Sequence, residues 1–387
     1  MANFWLSYNG STLGKNGYGV RITSEPAPIP VPSGGIRFRF SDPTYDPTQE
    51  SWGLYPNTWT RVTGMEGNVW DHTGTVLVNK YVNKFQNASN LVEILSTNNA
   101  LGTPSAYPGD WDGIFTGCTA LVYADFSNES RPSKVSSFFY GCSRLREVKF
   151  APMTSFASTF NGCTSLERVD FTAQTTECTS FNQTFDGCTK LTNVSSNLYT
   201  GSATTISNMF SGCSSLGSLP GISCASCTDA LGAFSGCTSL TSVSISNTGS
   251  LSNCQYMFSN CTSLLQAPNV SLANATTCKG MFSSCRSLTT VPAYDTDAAT
   301  DLSSMFNGCS SLTTVPLIKT DSAVNVTDMF RLCTHVESGA LALYNQMSSQ
   351  TNPPSSHSRC FQNCGSSSSS GSAELAQIPS SWGGTMA

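Results

Sequence analysis

One unit, M-F-x-x-C-x-S-L-x-x-V-P, recurs along most of this chain at almost constant spacing. It is clearest in Met257-Phe258…Cys261…Leu264, Met281-Phe282…Cys285…Leu288 and Met305-Phe306…Cys309…Leu312. The repeat cysteines are Cys118, Cys142, Cys163, Cys188, Cys213, Cys237, Cys261, Cys285, Cys309 and Cys333, separated by 24, 21, 25, 25, 24, 24, 24, 24 and 24 residues. Two outlying units extend the array. Phe85…Ala88…Leu91 carries Ala in the Cys slot, and Phe361…Cys364 follows a longer insertion. A period this short means a stack of coils, because one coil cannot bury its own Phe, Cys and Leu whereas its neighbours can. Phe at −3, Cys at 0 and Leu at +3 fall on one side of a helical turn. The residues after Leu, such as Thr289 to Pro292, read as a short strand. The predicted fold is a repeat solenoid with a parallel β-sheet on one face and short helical turns and loops on the other. Roughly a dozen coils at sheet spacing give a body on the order of 50–60 Å long.

The flanks differ from the repeats. Residues 1–33 hold a Gly, Asn and aromatic segment and then Pro26-Ala-Pro-Ile-Pro-Val-Pro32, read as an anchor followed by a semi-rigid linker. A small β-rich module is expected over 34–81, with Ile36–Phe40 as a half-buried strand, a second strand near Trp59, and turns at Asp42-Pro43 and Asp46-Pro47. The solenoid is assigned to 82–338, with the Ala88 unit as its N-terminal cap. Residues 339–387 supply a short helix from Gly339 to Met347, a Ser/Gly loop over Ser366–Ser372, the last repeat and a closing Trp382.

At Phe234-Ser-Gly-Cys237-Thr-Ser-Leu240 and its equivalents the chain resembles the BspA-type leucine-rich-repeat proteins and the related repeats of lipoprotein-like bacterial surface proteins. The resemblance covers about residues 82–364. It implies a leucine-rich-repeat-like fold and an association with cell surfaces and adhesion.

Only 11% of residues are charged and the formal net charge is −5. Nucleic acid needs clustered Lys and Arg, so it is not an expected partner. From Lys190 to Lys279 the single intervening charge is Asp229; Ser, Thr and Asn make the polar surface there. No apolar run reaches the roughly 18 residues that span a bilayer. The opening MANFWLSYNG lacks a basic stretch followed by an apolar one, so neither an export signal nor membrane insertion is expected.

No cofactor, metal or catalytic group is expected. Eleven of the seventeen cysteines share one repeat slot that also accepts Ala, which points to small buried groups forming a reduced ladder. Cys254 and Cys278 lie one period apart and should stack. Cys224-Ala-Ser-Cys227 has metal or redox spacing, but no second pair or His accompanies it, so turn packing explains it. His72, His335 and His357 lack a nucleophile context and read as surface residues. Asp295, Asp297 and Asp301 faintly suggest a calcium loop but lack its Gly and closing Glu, and turn roles account for them.

The sheet face remains. The residues just after each repeat Leu should point outward: Arg146, Glu147, Glu167, Arg168, Thr192, Asn193, Thr241, Ser242, Gln266, Thr289, Thr290, Thr313 and Thr314 form the candidate binding strip. A surface-like repeat without an export signal suggests a non-enzymatic virion display protein, a phage fibre or decoration protein. It would dock on another virion protein through residues 1–33 and bind host surface glycan or protein. A bacterial surface or secreted adhesin is the alternative, and a glycan-cleaving solenoid enzyme the second. A homo-oligomer is compatible with either display role, although no coiled-coil heptad marks one.

Overall fold

The structure, a computed structural model, describes residues 30–32, 35–49, 59–73, 85–97, 112–129, 135–316 and 318–386, plus the short antiparallel pair Ser7–Tyr8 and Ser11–Thr12. The rest of the expected anchor and linker, residues 1–33, lies outside the described residues.

Twelve coils stack with their repeat phenylalanines in a single file. The rings of Phe85, Phe115, Phe139, Phe160, Phe185, Phe210, Phe234, Phe258, Phe282, Phe306, Phe330 and Phe361 follow one another in nearly parallel planes. Phe258 sits 5.2 Å from Phe234 and 5.4 Å from Phe282, tilted by 3° and 6°. Both outlying units join the file, Phe85 at 5.2 Å from Phe115 and Phe361 at 6.1 Å from Phe330. The repeat Cys and Leu are buried beside the rings, with half-buried Ala88 in the Cys slot of the first coil, and Val336 and exposed Ser367 in the Leu slot of the last two. Each ring would cost about 3–5 kcal/mol to truncate to Ala, so the column dominates the core.

The turn segment before each Cys bonds in two directions. Within a coil, Met257, Ser259 and Cys261 donate their N–H groups to the carbonyls three residues back. The alternate residues Tyr256, Phe258 and Asn260 donate instead to Lys279, Met281 and Ser283 of the next coil, at 2.7–2.9 Å. The predicted helical turns are therefore single turns rather than α-helices. Sending every second N–H outward requires left-handed backbone at two positions per coil, five residues and one residue before Cys. Tyr256 (φ 53°) and Asn260 (φ 60°) show it, and Gly fills the second position in most coils, as at Gly236 (φ 74°).

Strands follow the Leu as expected, but they thin along the stack. Tyr123–Phe126, Glu147–Phe150, Arg168–Phe171 and Asn193–Val194 pair in parallel register. Later coils keep only short pairs or single bridges, such as Gln266–Thr290 and Thr314–Ser338. The reason is in the repeat itself. Pro268, Pro292 and Pro316 stand where Lys149 and Asp170 stand in the early coils, and proline removes a ladder donor.

The N-terminal strands continue this sheet. Ile36–Phe40 lies between Asn68–His72 and Leu91–Thr97, antiparallel to both, and Trp59–Arg61 forms the edge. These strands, rather than the Ala88 unit, cover the first coil: Phe38 packs 5.1 Å from Phe85. Ile36–Phe40 is not half-buried as its alternation suggests. As a central strand it is covered on both faces, and Arg37 is buried in a two-pronged pair with Asp71 at 2.7 Å.

At the other end, helix Ala340–Ser348 forms as predicted. The Glu374 carboxylate accepts from the N–H groups of Gly339 and Leu341 and caps that helix from outside. The Ser/Gly run is a correction: Ser368 accepts from the Gly371 N–H and starts a helix over Ser369–Leu375. Composition suggested a loop, but a Ser N-cap followed by Ala373-Glu374-Leu375 favours the helix. Trp382 closes the stack, its carbonyl accepting from the Phe361 N–H at 2.9 Å.

Candidate binding face

The outward strip is built by register. Cys, then Leu three residues later, fix the side of the coil that faces the core, so the next residues turn outward. Arg146, Glu167, Arg168, Thr192, Asn193, Thr241, Ser242, Gln266, Thr289, Thr290, Thr313 and Thr314 are exposed, and Glu147 is half-buried. The two rows of this strip differ in chemistry. In the first, Thr192, Thr289 and Thr313 turn their hydroxyls back and donate to the carbonyls of Glu167, Leu265 and Thr289 one coil earlier. In the second, Asn193, Ser242, Gln266, Thr290 and Thr314 make no side-chain hydrogen bond among the described residues. The scaffold leaves the side chains of these five second-row residues unused.

Hydroxyls do the same elsewhere around the coil. Thr204, Thr228, Ser252, Thr276 and Thr300 each donate to the carbonyl of the equivalent residue one coil back. Thr189, Ser214, Thr238 and Thr262 form a second such file. The Ser/Thr-rich composition is thus partly a set of side-chain ladders that satisfy carbonyls along the stack.

The early rungs carry the charge. Glu147 faces Arg168 across the sheet, and Asp125, Lys149 and Asp170 follow in register. Arg168 pairs with Asp170 and lies 3.5 Å from Glu147, while Lys149 reaches Asp125 at 4.0 Å. Beside them lies a cleft of about 190 Å³ lined by Val122, Arg144, Arg146 and Ser165. Arg144 was not a sequence candidate, because it precedes the repeat Leu and sits on the bend before the strand.

The cysteines are all free and buried. Each repeat thiol donates to the Phe carbonyl of the preceding coil, as Cys237 does to Phe210 at 3.1 Å. Burial pushes the Cys261, Cys278 and Cys309 thiols up to about 12, so they are poor nucleophiles. Cys254 and Cys278 do occupy equivalent places, donating N–H to Thr277 and Asp301 of their next coils. The Cys224–Cys227 spacing is a crossing of two repeat columns. Thr200 and Thr248 hold the first position and Ala203 and Leu251 the second, with the same turn in all three coils.

The remaining candidates resolve into packing. His335 is exposed, with its ring 2.6 Å from the Ser310 carbonyl. His357 stacks on Trp382 at 4.1 Å. His72 is buried, not at the surface, because its central strand sets it edge-on to Trp59 at 4.9 Å. Asp295 and Asp297 grip the Lys319 ammonium at 3.2 and 2.8 Å. The Asp297 N–H first, and Lys319 second, hold the Asp295 carboxyl below its ordinary range. Asp301 caps the Ser303 N–H at 2.9 Å. Among the described residues no cluster of His, Cys, Asp and Glu could hold a metal ion, and no helix is long and apolar enough to cross a membrane.

A phenylalanine file, thiol-to-carbonyl bonds between coils, a parallel sheet on one face and covered ends define a leucine-rich-repeat-like β-solenoid. The chain belongs to the family described as "Mycoplasma protein of unknown function, DUF285", which matches residues 154–290, 223–344 and 276–366, together more than half of the sequence. The BspA-type resemblance of the F-x-G-C-x-S-L unit agrees with that membership. Two solved structures are similar. A leucine-rich repeat protein from Bacteroides ovatus is 20% identical with a TM-score of 0.26, over 64% of this chain and 75% of that one. One from Eubacterium ventriosum is 13% identical with a TM-score of 0.28, over 72% and 91%. None of the curated proteins matches the sequence.

Proposed function

We propose that this chain is a non-enzymatic binding protein displayed on a bacterial surface or released from it, which holds a surface glycan or protein along the outward strand face. The observation that carries the reading is the second strip row, an exposed file of Asn193, Ser242, Gln266, Thr290 and Thr314 whose side chains the scaffold does not use. Extended faces of this kind are where stacked repeats bind. The family description names bacterial proteins, which favours a bacterial over a virion setting, and the surface association comes from the BspA-type resemblance of the repeat unit. The virion role rested on a surface-like repeat without a recognised export signal, and the docking segment it assigned to residues 1–33 lies mostly outside the described residues. A glycan-cleaving reading loses support because several of the surface acids are tied to cations: Glu147 and Asp170 to Arg168, Asp295 and Asp297 to Lys319.

The test is binding of the purified protein to intact bacterial cells, with and without protease or periodate treatment of the cells, together with antibody labelling of the producing cell. Saturable binding reduced by Asn193→Ala/Gln266→Ala/Thr290→Ala, with label at the cell exterior, supports the reading. Absence of cell binding together with purely internal label contradicts it.

A further inference from the structure

We infer that the cleft between Arg144, Arg146 and Ser165 is an anion-binding site that takes a carboxylate or sulfate group of an acidic polysaccharide. The inference rests on the surface-binding reading and names its ligand chemistry.

The argument starts from pairing. Among the described residues seven of the thirteen Lys and Arg side chains are neutralised locally: Arg37 by Asp71, Arg39 by Glu93, Lys149 by Asp125, Arg168 by Asp170, Lys319 by two aspartates, and Arg331 and Arg359 by Asp328. Arg144 and Arg146 have no ion pair among the described residues, although both line the cleft of about 190 Å³. The repeat register adds a third cation. Arg144, Ser165 and Lys190 each lie two residues after a repeat Cys, so they form one column in successive coils. Hydroxyl bonds from Thr164 to Ser143 and from Thr189 to Thr164 tie those coils together one residue earlier. Lys190 also has no ion pair among the described residues.

Two guanidinium groups lining the cleft with one hydroxyl, and Lys190 in the same column one coil on, suit a planar or tetrahedral oxyanion, because guanidinium donors match two acceptor oxygens at once. Ser165 adds a donor that does not depend on charge. Arg146 belongs to both the cleft and the strip, where Asn193 and the hydroxylic rungs can accept and donate to sugar hydroxyls. A chain of sugars with a periodic acidic group fits that layout. Glu167, whose N–H donates to the Arg146 carbonyl, puts a carboxylate without an ion pair among the described residues one coil from Arg146, and it weakens the site.

The experiment uses the full chain and three probes by isothermal titration: polygalacturonate, dextran sulfate and neutral dextran. Binding of either acidic polymer but not of dextran is expected, weakening as salt is raised. Arg144→Ala/Arg146→Ala should lower the affinity by about tenfold or more, equivalent to at least about 1.4 kcal/mol. Glu167→Gln should tighten it, with circular dichroism unchanged in both variants. Preference for one acidic polymer assigns the group as carboxylate or sulfate. Failure to bind either acidic polymer, or equal binding by wild type and the double variant, overturns the site. Equal binding of both proteins to intact cells then leaves the surface-binding reading standing.

Discussion

Replacing Phe258 separates the contribution of ring stacking from that of simple bulk. Phe258 is fully buried, with Phe234 at 5.2 Å and Phe282 at 5.4 Å on its two sides. Phe258→Ala removes the ring and leaves a cavity, a loss of about 3–5 kcal/mol. Phe258→Leu keeps most of the apolar volume but deletes two ring pairs, each contributing about 0.5–1.5 kcal/mol beyond burial, so it should cost about 1–3 kcal/mol. Phe361 has one ring neighbour in the file, Phe330 at 6.1 Å, so Phe361→Leu should cost about half as much, roughly 0.5–1.5 kcal/mol. Urea unfolding followed by far-ultraviolet circular dichroism, with the denaturant slope checked for constancy, reads all three. If Phe258→Leu falls within about 0.5 kcal/mol of wild type, or the end variant costs as much as the central one, stacking along the file is not what holds the coils.

Three further outcomes follow from the same structure. Buried thiols whose pKa values rise from 9.0 to about 12, as at Cys261, Cys278 and Cys309, favour the protonated folded state, and that stability is fully present below about pH 9. It should decline as pH rises from 9 toward 12, and a midpoint that stays level across that window in thermal unfolding would contradict the buried ladder. Leu332 holds left-handed backbone (φ 63°) while half-exposed, at a position taken elsewhere by Gly308 and Asn363; Leu332→Asn should raise stability by about 1 kcal/mol in denaturant titration, and a loss would show that the strain is not there. Arg37→Ala leaves Asp71 buried without its two-pronged partner and should cost about 3–5 kcal/mol, read as early loss of the N-terminal strands by hydrogen exchange.

Much of this architecture was legible in the sequence because its information is periodic. Phe, Cys and Leu at fixed offsets define the inward side of every coil, and both outlying units, Ala88 and Cys364, were placed by those offsets alone. The strip followed from the same register. What the pattern hid was chemistry whose partner lies one coil away. The hydroxyls of Thr204 and Thr238 look like solvated surface residues until the carbonyls of Thr179 and Ser214 come beside them. The left-handed position five residues before Cys was invisible, because Ser137, Gln183, Tyr256 and Arg359 share no composition, only a backbone demand set by the next coil. Arg144 and Lys190 were missed for a related reason: they precede the Leu that marks the strand, so a rule built on residues after Leu passes over them.

Removal of one whole coil tests the central claim most directly. Cys261 and Cys285 are 24 residues apart in equivalent positions, so deleting 262–285 rejoins the chain in register and restores the Phe258-to-Phe306 stacking order. Nearest-neighbour repeats tolerate such an excision. The shortened protein should unfold in one transition, with its remaining thiols unreactive in the native state, whereas a 12-residue deletion, half that period, starting at the same point should not fold. If the 24-residue and 12-residue deletions are equally disrupted, the coils do not act as interchangeable units and the solenoid account fails.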